Sequence, residues 1–352
     1  MSNDISQALQ TRVTEAFENA KPLNIIGGNS KAFYGRVTEG EKLYVGEHTG
    51  ILNYEPTELV VTARAGTTLI ELQDALAEKQ QMLPFEPPHF GDSATVGGTV
   101  ASNFSGPRRP YAGAVRDHVL GVKIINGKGE ILHFGGEVMK NVAGYDLSRL
   151  MAGAMGTLGV LLEVSFKVIP VPEKELTLYR SCSIDTAITT MNDWANRPYP
   201  ISAGVFDGEN LYIRFSGSGN AVEAARKKFG GDELKDADQF WQRIREQQHA
   251  FFDGEQPLWR LSVAPASKHI ALPGKTLIDW GGAQRWYKGE AKAADIHNSA
   301  AEHGGHAAMF RHGDRSQPFQ ALDPVIMRLH RNLKLAMDPK NILNPGRLYA
   351  EL

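Results

Sequence analysis

The sequence predicts an α+β protein of two domains, and three observations carry the prediction. Over the first half, short apolar strands run through glycine turns into helices with almost no linker between them. Residues 91–160 hold 14 of the 36 glycines in about a fifth of the chain. After Pro172 the pattern changes to a βαββαβ order, which places helices on one face of an antiparallel sheet.

Ile5, Leu9, Val13, Ala16 and Phe17 recur at helical spacing behind Ser2-Asn3-Asp4, which predicts a first helix over 5–20. Residues 23–26 are an apolar run ending in Gly27-Gly28-Asn29-Ser30, the pattern of a buried strand entering a turn. Residues 59–65 alternate as a strand does, Gly66 breaks them, and Thr68-Leu69-Ile70-Glu71 is a capping-box signature for a helix with Leu69, Leu72 and Leu76 on one face. Residues 119–134 read as a hairpin around Asn126-Gly127-Lys128-Gly129, and 159–170 alternate again up to Pro170-Val171-Pro172. Beyond that boundary, strand-like 176–182, 201–206, 211–215 and 258–263 interleave with helix-like 186–195, 221–229 and 237–249. Strand and helix signals recur less clearly over 275–310, and an amphipathic helix over 324–337 leads into Asp338-Pro339-Lys340. No sequence repeat of fixed period is present.

Composition removes several function classes. With 38 basic and 40 acidic side chains and no basic block, there is no electrostatic footprint for nucleic acid. Cys182 is the one cysteine, so the chain has no disulfide framework, no iron–sulfur ligand set and no thiolate zinc site, and a reducing cytoplasm is expected. The first twenty residues carry Asp4, Glu15 and Glu18 and lack the apolar run of a secretory signal. The most apolar stretch, 159–172, is broken by Glu163 and Lys167, so any membrane role is expected to come through a partner.

The glycine motifs do not fit a nicotinamide fingerprint. Gly153, Gly156 and Gly159 lack the opening pair of that motif and precede a strand, and no P-loop occurs. Gly27-Gly28-Asn29-Ser30 instead offers a turn whose backbone N–H groups can face an anion, with a hydroxyl added.

That turn, Pro56 to Val61 with Ala65-Gly66-Thr67, Ala94 to Asn103, Gly113-Ala114-Val115-Arg116-Asp117, Lys140 to Leu147 and Met155 to Val160 together resemble, in this order, the vanillyl-alcohol-oxidase-type FAD-binding family. Met82 to His89, Ser105 to Pro110, His133 to Lys140, Leu277 to Gly282 and Asn344 to Leu352 are similar to the E subunits of bacterial glycolate oxidases within it. The resemblance implies an FAD domain in two parts, 1–172 and 311–352, around a cap-like antiparallel domain over 173–310. It implies cofactor contacts at Ile26, Gly27, Gly28, Asn29, Ser30, Pro87, Thr95, Gly97, Gly98, Ala101, Asn103, Gly113, Arg116, Gly156, Leu158, Gly159, Val160 and Asn344. Family members that attach FAD covalently carry a histidine in the first turn; Asn29-Ser30-Lys31 stands here, so non-covalent FAD is expected.

The implied activity is oxidation of glycolate to glyoxylate beside a flavin-bearing D subunit and an iron–sulfur F subunit that pass electrons to a membrane acceptor. A site on this chain would need a base and a carboxylate anchor, for which Tyr145 and His306, with Arg311, are the candidates. His303 and His306 lack a carboxylate or cysteine at ligand spacing, and His312-Gly313-Asp314 continues into Arg315-Ser316 instead of the family's metal segment, so no metal is expected. Two alternatives stay open: a stand-alone flavin dehydrogenase of another small 2-hydroxy acid, and a non-catalytic FAD-binding subunit for electron relay or assembly. Trp241, Trp259, Trp280 and Trp286 either fill the core of the second domain or, with Arg285, form a contact surface for partner subunits.

Overall fold

The computed structural model describes residues 3–136 and 146–352, and the chain divides into two units. The first comprises residues 1–104, 114–170 and 321–352, and the second residues 105–113 and 171–320.

In the first unit, α1 (Ser6–Glu18) buries Leu9, Val13 and Ala16, and β1 (Leu23–Ile26) lies parallel to β2 (Glu41–Tyr44). Next come β3 (Ile51–Glu55), β4 (Val60–Arg64) and α2 (Leu69–Ala77). Thr68 caps α2 as its sequence predicts, its hydroxyl accepting from the Glu71 amide at 3.1 Å. The short β5 (Gln81–Met82) leads to α3 (Val96–Ser102); α4 (Arg109–Ala112) belongs to the second unit, and the first resumes with α5 (Val115–His118).

The hairpin of β6 (Val119–Ile125) and β7 (Ile131–Gly135) is closed by Asn126, whose Oδ1 accepts from the Lys128 and Glu130 amides at 2.9 and 3.0 Å. After α6 (Leu147–Leu150), β8 (Val160–Lys167) enters the middle of an antiparallel five-stranded sheet of order β3-β4-β8-β6-β7. Its burial is nearly continuous, as a central strand requires. β9 (Ile169–Pro170) pairs with β5.

The second unit holds β10 (Lys174–Ser181), α7 (Ile184–Ala195), β11 (Ile201–Phe206), β12 (Asn210–Gly217), α8 (Gly219–Phe229) and β13 (Asp232–Glu233). These are followed by α9 (Ala237–Arg245), β14 (Leu258–Ser262), β15 (Lys275–Asp279), β16 (Gln284–Lys288), α10 (Ala293–Glu302) and β17 (His306–Arg311). One eight-stranded antiparallel sheet runs β13-β10-β12-β11-β15-β16-β14-β17. The first four strands follow the order 4-1-3-2 of a βαββαβ motif, and the last four repeat it in mirror order, joined where Phe206 of β11 pairs with Ile278 of β15. A structural repeat is thus present without a sequence period. In the second copy the first crossover, residues 263–274, is irregular, and Arg285 serves it by donating to the carbonyls of Gly282, Pro265 and Ser267.

Two expectations change, and one open alternative is decided. The helix expected over 237–249 stops at Arg245, because Gln247 takes a left-handed φ of 55°. The expected boundary at 310/311 lies at 320/321, since Met309 accepts a place beside Pro318, its amide donating to that carbonyl at 2.7 Å, and Phe319 bridges Ala308. The four tryptophans and Arg285 are at most 9% exposed, so they fill the second unit and offer no contact surface. The last helix, α11 (Pro324–Met337), starts behind Asp323, which accepts from the Val325 amide, and returns Met337 to the first core.

Candidate cofactor site

Six segments of the first unit converge on one cleft. The end of β1 supplies Ile25 and Gly27, the residues just after β2 and β4 supply Val45 and Ala65, and α3 with its N-cap supplies Thr95, Gly97, Gly98 and Ala101. The approach to β8 supplies Met155, Gly156 and Gly159, β8 itself supplies Leu161, and Asn344 completes the wall. None of these residues is charged, and all but two are apolar or glycine, so the cleft suits a largely apolar group.

Past β1 the chain turns through Gly27 to Ser30, with Asn29 at a left-handed φ of 58°. Among the described residues, no carbonyl or side chain accepts from the amides of Gly28, Asn29 or Ser30. Three successive N–H groups without an internal acceptor form a concavity that an anion satisfies. The turn is fixed from below, where Ser93 Oγ donates to the Gly28 carbonyl at 2.6 Å.

The glycines divide into two kinds. A Cβ on Gly28 would overlap the Ser93 carbonyl, one on Gly66 the Val45 carbonyl, and one on Gly97 would lie 2.8 Å from the Ala65 Cβ. These serve chain-on-chain approach rather than ligand approach. A Cβ on Gly98 would meet only Thr95 Oγ1, at 3.1 Å, and would otherwise extend toward the cleft; Thr95 itself caps α3 by accepting from the Gly98 amide. Asn344 is positioned by both ends of its amide: Oδ1 accepts from the Ile25 amide and Nδ2 donates to the Met155 carbonyl, each at 2.7 Å.

Eight of the expected cofactor residues therefore line the cleft: Gly27, Thr95, Gly97, Gly98, Ala101, Gly156, Gly159 and Asn344. Gly28, Asn29 and Ser30 form the adjoining turn, and Ile26 leads into it as the last residue of β1. Leu158 and Val160 are core residues, and Pro87 is buried outside the cleft. Asn103 ends α3 in a left-handed conformation with a buried, unpartnered Oδ1. Arg116 is exposed beside Asp117, and Gly113 belongs to the second unit. Sequence reasoning missed Ile25, Val45, Ala65, Met155 and Leu161. The signal was available for three of them, since Val45, Ala65 and Met155 each immediately precede a glycine.

The catalytic candidates are not assembled. Tyr145 lies outside the described residues. His306 and Arg311 open and close β17, about 16 Å apart at roughly 3.3 Å per residue, so they do not form a base-and-anchor pair on one substrate. Burial and nearby Arg260 lower the His306 pKa, and burial brings Arg311 down to about 10. Among the described residues, no three His, Cys, Asp or Glu side chains converge as a metal site would require.

Over 349 residues the chain is 51% identical to the glycolate oxidase subunit GlcE of Escherichia coli (strain K12), covering 99% of both proteins. The chain belongs to the GlcE family. The glycolate oxidase subunit GlcD of Bacillus subtilis (strain 168) is 35% identical over 44% of this chain and 33% of that protein. A D-lactate dehydrogenase of Archaeoglobus fulgidus is 27% identical over 96% of this chain and 88% of that one. Residues 5–135 match the FAD binding domain family. Among solved structures, alkyldihydroxyacetonephosphate synthase superposes with a TM-score of 0.68 at 15% identity, covering 96% of this chain and 75% of that one, which shows the shared fold.

FAD is thus the cofactor of this GlcE-family chain, and the residues fit it. The amides of Gly28, Asn29 and Ser30 would take diphosphate oxygens, and the slot between Gly98, Ala101 and Gly156 would take a flat ring or the chain leading to it. A side chain on Gly98 would fill part of that cradle.

Proposed function

We propose that this chain is the FAD-binding subunit of a glycolate oxidase complex, working beside a flavin-bearing D subunit and an iron–sulfur F subunit. The observation that carries the reading is the end-to-end identity to a GlcE subunit together with a cleft whose turn amides and glycines suit FAD. With Cys182 as its one cysteine, this chain hands iron–sulfur chemistry to a partner. No helix among the described residues is long and apolar enough to cross a membrane, so contact with a membrane acceptor, from the cytoplasmic side, falls to the complex.

Oxidation of glycolate to glyoxylate releases a hydride from Cα and a proton from the hydroxyl, and FAD when bound supplies the hydride acceptor. The protein's part is to hold the cofactor: the first turn presents donors to its anionic centre, and the cleft walls beside it carry no charge. Attachment is non-covalent in this reading, because Asn29-Ser30-Lys31 offers no histidine; acid precipitation should leave the flavin in the supernatant.

The separation of His306 from Arg311 favours a second reading, in which this subunit relays electrons or supports assembly while glycolate is oxidised on the D subunit. An anaerobic absorbance titration with glycolate distinguishes the two. Prompt bleaching of the isolated chain gives it its own active site; bleaching only after the D subunit is added assigns the relay role. No flavin band after reconstitution with FAD would remove the function altogether.

A further inference from the structure

We infer that residues 342–352, through Arg347, are a positioning element for the cofactor. Besides the Ser93 hydrogen bond at Gly28, the first glycine turn is held at two points that flank it, and this segment reaches both. Before the turn, the Leu23 amide donates to the Ile342 carbonyl at 2.7 Å, the Asn344 amide to the Leu23 carbonyl at 3.0 Å, and the Ile25 amide to Asn344 Oδ1. After the turn, Arg347 Nη1 donates to the Arg36 carbonyl and Nη2 to the Tyr34 carbonyl, each at 2.7 Å. Arg36 reciprocates, its amide donating to the Arg347 carbonyl at 3.1 Å and its Nε to the Gly346 carbonyl at 2.9 Å.

Between these anchors the chain makes short-range turns, Ala32 to Asn29 and Tyr34 to Lys31. Gly35, at a φ of 78°, brings the loop against Met155, which lines the cleft; a Cβ there would sit 2.8 Å from Met155 Cε. The 342–352 segment is itself closed, with the Gly346 amide donating to the Leu352 carbonyl and the Leu352 side chain buried.

A turn with three unsatisfied amides keeps them converged only if its ends are held. The fork of Arg347 holds one end by two carbonyls two residues apart, a task for which a planar guanidinium is suited and an ammonium is not. Coupling is reciprocal: what orders the turn also orders residues 342–352. The inference rests on the placement of FAD in this cleft.

The test uses the full chain as apoprotein, with FAD binding followed by quenching of flavin fluorescence, apoprotein melting in parallel, and limited proteolysis within residues 342–352 with and without FAD. Arg347→Ala should raise the FAD dissociation constant about tenfold or more while lowering the apoprotein Tm by only a few degrees, and Arg347→Lys should fall between it and the wild type. In the wild-type chain FAD should slow cleavage within 342–352, a readout that stands even if the alanine variant does not fold. The inference is overturned if Arg347→Ala binds FAD within twofold of the wild type, if affinity and apoprotein stability fall together in both variants, or if FAD leaves the cleavage rate unchanged. A wild-type chain that binds no FAD would instead remove the cofactor placement on which it rests.

Discussion

Lys334 and Asp338 stand one helical turn apart and form a buried ion pair at 2.7 Å that ties three segments of the first unit together. The Lys334 ammonium also donates to the Thr157 and Leu343 carbonyls at 2.8 Å, and the Asp338 carboxylate accepts from the Ile342 and Leu343 amides. Every donor of the ammonium is therefore used, which is the condition under which a buried pair is tolerated.

Removing one partner leaves a buried charge. Asp338→Ala should cost about 3–5 kcal/mol of stability. Urea unfolding of the apoprotein measures it, and a loss below about 1 kcal/mol would mean that the pair is solvated in solution.

Gly28→Ala and Gly98→Ala should fail in different ways. The first drives a methyl into the Ser93 carbonyl and should lower the melting temperature sharply with or without flavin. The second meets only Thr95 Oγ1, and Ala is the better helix former, so the apoprotein should melt near the wild-type value while FAD binds more weakly, by about tenfold. Fluorescence titration and apoprotein melts together separate the two.

His48 is fully buried, its Nδ1 accepting from the Ile5 amide at 3.2 Å, and burial lowers its pKa from the ordinary 6.5. Asp4 and Glu163 act to raise that pKa, and Arg64 and Lys123 to lower it. The native state binds fewer protons here than the unfolded chain, so the contribution is full above pH 6.5 and is lost as pH falls toward the depressed folded value. His48→Asn, whose carbonyl can take the Ile5 bond, should flatten the acid side of a Tm-against-pH curve relative to the wild type. Parallel curves would show that His48 does not titrate there.

Trp286 packs edge-on to Phe252 and Phe310, with centroids 5.7 and 4.8 Å away. Trp286→Ala should cost about 3–5 kcal/mol in denaturant unfolding. Weakened association with a D subunit at unchanged stability would restore the contact-surface reading.

Local signals explain why much of the fold was legible. Thr68 before Leu69, Asn126 closing the hairpin and Asp323-Pro324 opening the last helix act within a few residues of themselves, so their chemistry is written in the sequence. The sheet repeat of the second unit was not, because strand order is set by pairings such as Phe206 with Ile278 between residues far apart in the chain.

The site shows the same division. The sequence alone determined that glycines cluster around a post-strand turn, that the chain lacks ligands for an iron–sulfur centre, and that the ordered motifs belong with FAD. Only the tertiary structure decided what each glycine is for. Gly28, Gly66 and Gly97 make room for neighbouring chain, whereas Gly98 leaves space in the cleft, and a missing Cβ reads identically in both cases. It also decided that His306 and Arg311 stand at opposite ends of one strand, and that Asn344, more than three hundred residues from Ile25 in sequence, holds the wall of the cleft. Those relations depend on which segments are packed together, a property of the folded core and not of any local run of residues.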